Sequence, residues 1–374
     1  MIIVFFALTA SYLLLIGSFI IGFNKVKPFT PKHERPQYKF SIIIPFRNEV
    51  ENLPSLIKSL EELNYPKHFF EIILVDDNSI DDSQELALRL LNCTQLDFHI
   101  LSNSTTNNSP KKQAITIGIS NAKYDWIITT DADCHVPNDW LNSFNDYLLR
   151  EEKQMIVAPV MLSNSSSIFD QFQTLEILSL QGASIAGFGI NNPIMCNGAN
   201  LCYSKYLFNS LNGFEGNNTI ASGDDIFLME KALKQNKEYV GYLKCKDAIV
   251  ETKPEESFNK MLQQRIRWAS KSTAYKSLKP KSIGIVIFAM NSSIIIGLVL
   301  TIFGLLKSWF FLMILISKQL FDYVLLSKSA TFFDRRKALN TYFFSSLIYP
   351  FVSVYTVFKA MFSNYEWKGR TFKK

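Results

Sequence analysis

The chain has 374 residues, enough for one sizeable catalytic domain with additions. It is 48% hydrophobic and only 19% charged, with a formal net charge of +6. The apolar excess gathers at both ends and basic residues flank it, which suits an anionic membrane surface or phosphorylated substrates and not nucleic acid. There is no zinc-finger spacing and no basic arm interleaved with aromatics. Five cysteines without CxxC or metal-ligand spacing read as free thiols in a reducing compartment.

In chain order, Met1 to Phe23 carries no charge and meets the roughly 20 residues a bilayer span needs. A cleaved signal peptide is the alternative, but the run lacks a basic n-region and a clean small-residue cleavage site. Residues 24–40 form a basic linker with Lys25, Lys27, Lys32, Arg35 and Lys39 against Glu34 alone. The positive-inside rule places the chain from residue 24 onward in the cytoplasm.

Residues 41–279 alternate strand-like and helix-like patterns. FSIIIPF reads as a buried strand ending at Pro45, and Leu53, Leu56, Ile57 and Leu60 have helical spacing. FFEIILVDDNS and WIITTDADC are further strands with acids where they stop, and MIVAPV is another single strand. The segment SNSTTNNSP is a polar loop, and the Asn-x-Ser/Thr matches at Asn103 and Asn164 are chance occurrences if this part is cytoplasmic. Such alternation predicts an α/β fold with a mostly parallel sheet, whose ligands bind at the carboxyl ends of the strands.

Residues 280–374 form a C-terminal membrane region. A transmembrane hairpin is expected over about 282–326 and a last apolar segment over about 341–362, where Pro350 permits a kink or a re-entrant turn with the basic tail on the cytoplasmic side. The apolar segments are read as free of deep charge, which together with the large polar middle argues against a transporter.

Three acidic pairs stand out. Asp76 and Asp77 follow a strand, and helix or turn capping is one reading of them. Asp131 and Asp133 lie one residue apart, so strand alternation points both at one hard cation, Mg2+ or Mn2+. Asp224 and Asp225 follow a glycine and open a helix, as caps or as a general base for a hydroxyl acceptor.

The order SIIIPFRNEVENLPSLIKSL, EIILVDDNSIDDS, KKQAITIGISNAKYDWIITTDADC, NGANLCYSKYLFNSLNGF, GDDIFL and QQRIRW resembles membrane-bound family 2 glycosyltransferases, relatives of cellulose, hyaluronan and poly-N-acetylglucosamine synthases and of ceramide glucosyltransferase. The resemblance covers residues 1–280, and the tail WKGR is similar to a signature of several members. It implies a GT-A fold, a nucleotide-sugar donor, usually UDP-linked, and an inverting transfer. Asp77 would read the base with Asp76 supporting it, and Pro45, Arg47 and Glu49 would form the first nucleotide-side loop. Lys111, with Lys112 as its neighbouring alternative, would face the donor. Asp131 would take the ribose or phosphate side and Asp133 the metal, with Asp225 as base beside Asp224. Asn197, Gly198 and Asn200 would lie in the acceptor-side loop. Gln264, Arg267 and Trp268 stand at i, i+3 and i+4, on one helical face. They match the QxxRW motif, which implies diphosphate and acceptor contacts, whereas Arg265, Lys271 and Lys276 are left as membrane-surface charge. The acceptor is expected to be a lipid or lipid-linked group, because three or four spans are few for exporting a polymer. A processive polysaccharide synthase with a partner subunit and a non-catalytic membrane scaffold are the alternatives.

Overall fold

The computed structural model describes residues 2–103, 109–217, 223–271, 277–362, 365–367 and 370–372. Lys276 and most of the expected polar loop lie outside the described residues, as do the Lys271 side chain and the side chains of the WKGR tail.

The first elements are α1 (Ile2–Lys25), β1 (Phe40–Phe46), α2 (Leu53–Glu61), β2 (Phe70–Asp76), α3 (Ser83–Leu91), β3 (Phe98–Ser102) and α4 (Pro110–Asn121). Prolines open α2 and α4, where the missing N–H removes no intrahelical bond. Then come β4 (Trp126–Thr129), β5 (Cys134–His135) and α5 (Trp140–Arg150). MIVAPV, expected as one strand, is two: β6 (Met155–Val157) and β7 (Val160–Leu162) join different sheets. Pro159, which has no N–H for a ladder, stands at the break. Next are α6 (Ile168–Gly189), which no motif announces, β8 (Leu201–Ser204), α7 (Lys205–Ser210), α8 (Asp224–Gln235), β9 (Val240–Tyr242) and β10 (Val250–Thr252). The chain continues through α9 (Phe258–Lys271), α10 (Leu278–Ile302), α11 (Ser308–Phe332) and α12 (Tyr342–Phe362) to the antiparallel pair β11 (Tyr365–Trp367) and β12 (Arg370–Phe372).

Two compact units cut across the expected 41–279 block. One comprises Met1–Val26, Asn164–Ile194 and Pro254–Lys374, the other Lys27–Ser163 and Met195–Lys253. The cause is α6, a long apolar helix that packs along α1 and α11.

The second unit holds a seven-stranded sheet in the order β3-β2-β1-β4-β8-β6-β9 and a three-stranded sheet, β5-β10-β7. Strands β3, β2, β1 and β4 are parallel, and β8 is antiparallel to both neighbours. Ile42 and Ile44 share a core with Leu53, Leu56, Trp140 and Phe144. By alternation Ile43 faces the other way, onto α4. A Cβ at Gly118 would stand 2.7 Å from Ile43 Cγ2, so the glycine lets α4 lie close on β1. Because Phe46 pairs with Asp76 and Thr129 with Ile43, the parallel strands bring their acidic ends to one edge.

Among the described residues of the first unit, four helical segments are long and apolar enough to cross a membrane: Ile2–Lys25, Leu278–Ile302, Ser308–Phe332 and Arg336–Phe362. Helix α12 passes through Pro350 without reversing, so the re-entrant turn is not formed. Helices α1 and α6 meet backbone to backbone, since a Cβ on Gly189 would fall 1.8 Å from the Gly22 carbonyl oxygen. Small residues allow such close approach between apolar helices.

The expectation of charge-free apolar segments fails in α11. Lys318 Nζ donates to Asp322 Oδ2 at 2.7 Å, and the Tyr12 hydroxyl donates to Asp322 Oδ1 at 2.7 Å. The two charges are one helical turn apart and neutralise each other, so the run still reads as apolar. Lys318→Met or Asp322→Leu leaves one buried charge unmatched and is expected to destabilise by about 3 kcal/mol. The triple variant Lys318→Met/Asp322→Leu/Tyr12→Phe is expected to recover most of that loss, read from the thermal midpoint of the detergent-solubilised protein.

Candidate active site

The carboxyl ends of β1 and β2 are tied together by polar contacts that the sequence only hinted at. Pro45 lies within β1 opposite Val75. Arg47 Nη1 donates to the carbonyls of Asp77 and Asn78, which clamps the two strand ends. Asn48 and Asn78 both have positive φ, 51° and 54°, a conformation that asparagine tolerates. Glu49 is buried and accepts from Asn52 Nδ2 at 2.7 Å, while its backbone N–H donates to Ser83 Oγ at 2.7 Å.

Asp76 and Asp77 are buried, at 6% and 4% exposure. Capping accounts for part of Asp76, whose Oδ1 accepts the Ser79 N–H at 3.1 Å. Asp77 Oδ1 accepts from Asn103 Nδ2 at 2.9 Å, and the same amide donates to the Pro110 carbonyl. Asn103, by its sequence a chance glycosylation match, is fully buried and orients Asp77. Only its position just past a strand could have flagged it.

A second group forms around Lys111. Its Nζ lies 2.6 Å from Asp131 Oδ1 and 3.8 Å from Asp224 Oδ2. Burial alone would lower the Lys111 pKa, but the carboxylates of Asp131 and Asp224 outweigh it and hold the ammonium above its ordinary range. Lys112 points elsewhere, donating to the Asn217 carbonyl and lying 5.0 Å from the Phe227 ring centroid, so Lys111 is the lysine facing the acids. Asp225 Oδ2 accepts the Gly198 N–H at 3.1 Å, and Thr129 Oγ1 donates to the Gly198 carbonyl at 2.7 Å. A Cβ at Gly198 would stand 2.9 Å from Asp224 Oδ2, so only glycine fits this approach. Asp225 Oδ1 also accepts the Ile226 N–H at 2.8 Å within the first turn of α8, whose N-cap, Gly223, has no side-chain cap.

Two expectations need correcting. Asp131 and Asp133 flank a turn closed by the Cys134 N–H on the Asp131 carbonyl, beyond the end of β4. Strand alternation therefore does not align them: Asp131 is partly buried against Lys111, and Asp133 is exposed. Asn200 is fully buried, accepting from Trp140 Nε1 and donating to the carbonyls of Pro159 and Ala248. It supports the loop from inside, whereas Asn197 caps the turn above it by accepting the Ala199 N–H.

Asp131 and Asp133 offer hard oxygen donors suited to a divalent ion. Among the described residues no group of three His, Cys, Asp or Glu forms a ready-made cage, so substrate phosphates would have to complete the coordination. Burial and the neighbouring Asp133 and Asp131 push the Cys134 thiol well up.

Gln264, Arg267 and Trp268 lie in the first unit, on α9, with the helical spacing expected of them. Gln264 Nε2 donates to Glu255 Oε1 at 2.6 Å. Arg265, expected as surface charge, is instead buried and paired with Glu176.

Residues 41–209 match the family described as glycosyl transferase family 2, and residues 126–362 match glycosyl transferase family group 2. The chain is 35% identical over 159 residues to undecaprenyl-phosphate 4-deoxy-4-formamido-L-arabinose transferases of Yersinia pestis and Yersinia pseudotuberculosis. That stretch is 41% of this chain, and the chain spans about half, 47%, of the length of these curated relatives. A mannosyltransferase from Pyrobaculum calidifontis, solved with GDP-Man and Mn2+, shares the fold with TM-score 0.57, 16% identity and coverage of 96% of this chain and 99% of that one.

Removing the Lys111 ammonium takes away the positive charge that faces the Asp131 and Asp224 carboxylates and leaves them to repel one another. Lys111→Met is therefore expected to lower Tm by about 2–4 °C. Differential scanning calorimetry of the wild type and the variant checks the size of the deficit.

Proposed function

Because the chain belongs to glycosyl transferase family group 2, we propose that it moves a sugar from a UDP-sugar to a lipid or lipid-linked acceptor at the cytoplasmic face of a membrane, inverting the anomeric carbon. The observation that carries this reading is the meeting of Asp131, Asp224 and Asp225 around Lys111 and Gly198, beside the buried Asp76 and Asp77. A lipid acceptor is supported by the curated relatives, whose names specify transfer involving undecaprenyl phosphate.

Asp77, oriented by Asn103, would take the nucleotide base, and Arg47 would keep its loop in place. Asp133 would hold Mg2+ or Mn2+, with Asp131 on the ribose or phosphate side. When bound, such an ion supplies Lewis-acid stabilisation of the negative charge on the leaving diphosphate. Lys111 keeps the acids from repelling one another and keeps a positive charge near that leaving group. Asp225, fixed by the Gly198 amide, would accept the proton of an acceptor hydroxyl as the new bond forms. Attack from the face opposite the diphosphate gives inversion. Gln264, Arg267 and Trp268 would serve the leaving group and the acceptor, Arg267 through charge-assisted bonds.

The membrane placement proposed is multi-pass, with the basic linker after α1 on the cytoplasmic side and the transferase portion drawn from residues 41–279. A second reading has the lipid phosphate itself as nucleophile, as the names of the relatives suggest. Such a monoester is already largely ionised at neutral pH, with a second pKa near ~6, and would need no base.

The test uses washed membranes, labelled UDP-sugars, Mn2+ and either endogenous lipid or added undecaprenyl phosphate, with product lipids read by mass spectrometry. Asp131→Asn/Asp133→Asn should abolish metal-dependent donor binding and turnover, and turnover that persists in this variant sinks the metal assignment. Asp225→Asn should lower turnover at least about 10²-fold with a hydroxyl acceptor, and far less if the phosphate is the nucleophile.

A further inference from the structure

The residue between Gln264 and Ile266 was expected to face the membrane surface, yet Arg265 is only 7% exposed and its guanidinium meets Glu176, Gln264 and Trp268. One edge donates from Nε and Nη2 to Glu176 Oε2, at 3.2 and 3.1 Å. Nη1 donates to Gln264 Oε1. The flat face lies 4.5 Å from the Trp268 ring centroid. Gln264 is fixed at its other end by Glu255, and the Glu255 backbone is tied to α6 through Gln173, which donates Nε2 to its carbonyl at 2.9 Å and accepts its N–H at 3.0 Å. An arginine held only as membrane-surface charge would extend its head to water instead.

We propose that Glu176 and Arg265 are positioning residues for sugar transfer: one buried guanidinium, anchored on α6, sets the side chains of both Gln264 and Trp268. This rests on the reading that Gln264 and Trp268 serve the transfer. A planar fork is needed because three partners lie around one group, two in its plane and one on its face. A lysine ammonium could keep the Glu176 contact but not the others. A misplacement on the order of 1 Å at groups that hold substrate costs about 10²-fold in rate.

The experiment uses the full chain in lipid nanodiscs, labelled with 5-fluorotryptophan and assayed with a UDP-sugar, Mn2+ and either extracted endogenous lipid or undecaprenyl phosphate. The Trp268 resonance is assigned by its loss in Trp268→Phe. Glu176→Gln and Arg265→Met are expected to move or broaden that resonance while leaving those of Trp126 and Trp140 in place. They should lower kcat by about 10- to 100-fold with donor KM within about twofold. Arg265→Lys, which keeps the charge and serves if Arg265→Met does not fold, should also lose kcat. The exchanged pair Glu176→Arg/Arg265→Glu should regain Tm but not kcat, since no guanidinium then reaches Trp268. An unmoved Trp268 signal with kcat at the wild-type level in Arg265→Lys overturns the proposal, as does full recovery of kcat in the exchanged pair. Failure of the transfer reading looks different: the wild type makes no glycosylated lipid, or Asp131→Asn/Asp133→Asn turns over as well as the wild type.

Discussion

Repulsion between carboxylates is the constraint around which the second unit is organised. Asp131, Asp224 and Asp225 come from two distant stretches of chain, and without a counter-charge they would drive the end of β4 and the start of α8 apart. Lys111, on the first turn of α4, supplies that charge, and the Gly198 amide supplies a donor in place of a second cation. The demand reaches outward from there. Helix α4 must lie close enough on β1 for its lysine to arrive, and Gly118 permits this over Ile43. The loop before β8 must approach Asp224 without a side chain in the way, and Gly198 permits that.

In the first unit the same physics recurs in a drier setting. Lys318 with Asp322, both on the apolar helix α11, and Arg265 of α9 with Glu176 of α6 are buried pairs. Pairing of this kind adds little net stability over apolar contacts, but it fixes which helix faces which. Rotating α9 by one residue would leave Glu176 as a lone buried charge, a far larger penalty than a displaced leucine.

Several strands, the mostly parallel sheet and the acids at or just past strand ends were legible because they depend on local pattern. Isoleucine runs, prolines at helix starts and aspartates at strand ends each reflect nearby chemistry. What escaped depends on distant partners. Arg265 and Lys271 look alike in the sequence, and nothing local says that Glu176, nearly a hundred residues earlier, buries the first. Asn103 reads as polar loop until Asp77 is seen beside it. The turn at Asp131–Asp133 looks like continuing strand because Thr129 and Thr130 favour extended backbone; β4 ends at Thr129 and the turn is closed at Cys134. Asn200 shows the opposite error, a polar residue in a functional motif whose amide holds three partners inside the protein.

The contact between Gly22 and Gly189 changes what the first helix is for. A span of equal length and apolarity but with leucine in place of Gly22 would still insert into a bilayer, yet it could not seat α6, because the Ala186 carbonyl leaves no room for a β-carbon. Since α6 also carries Glu176, the first helix is not interchangeable with other apolar spans. A plain tether could be swapped for any segment of the same length; this one is a bracket cut to seat α6.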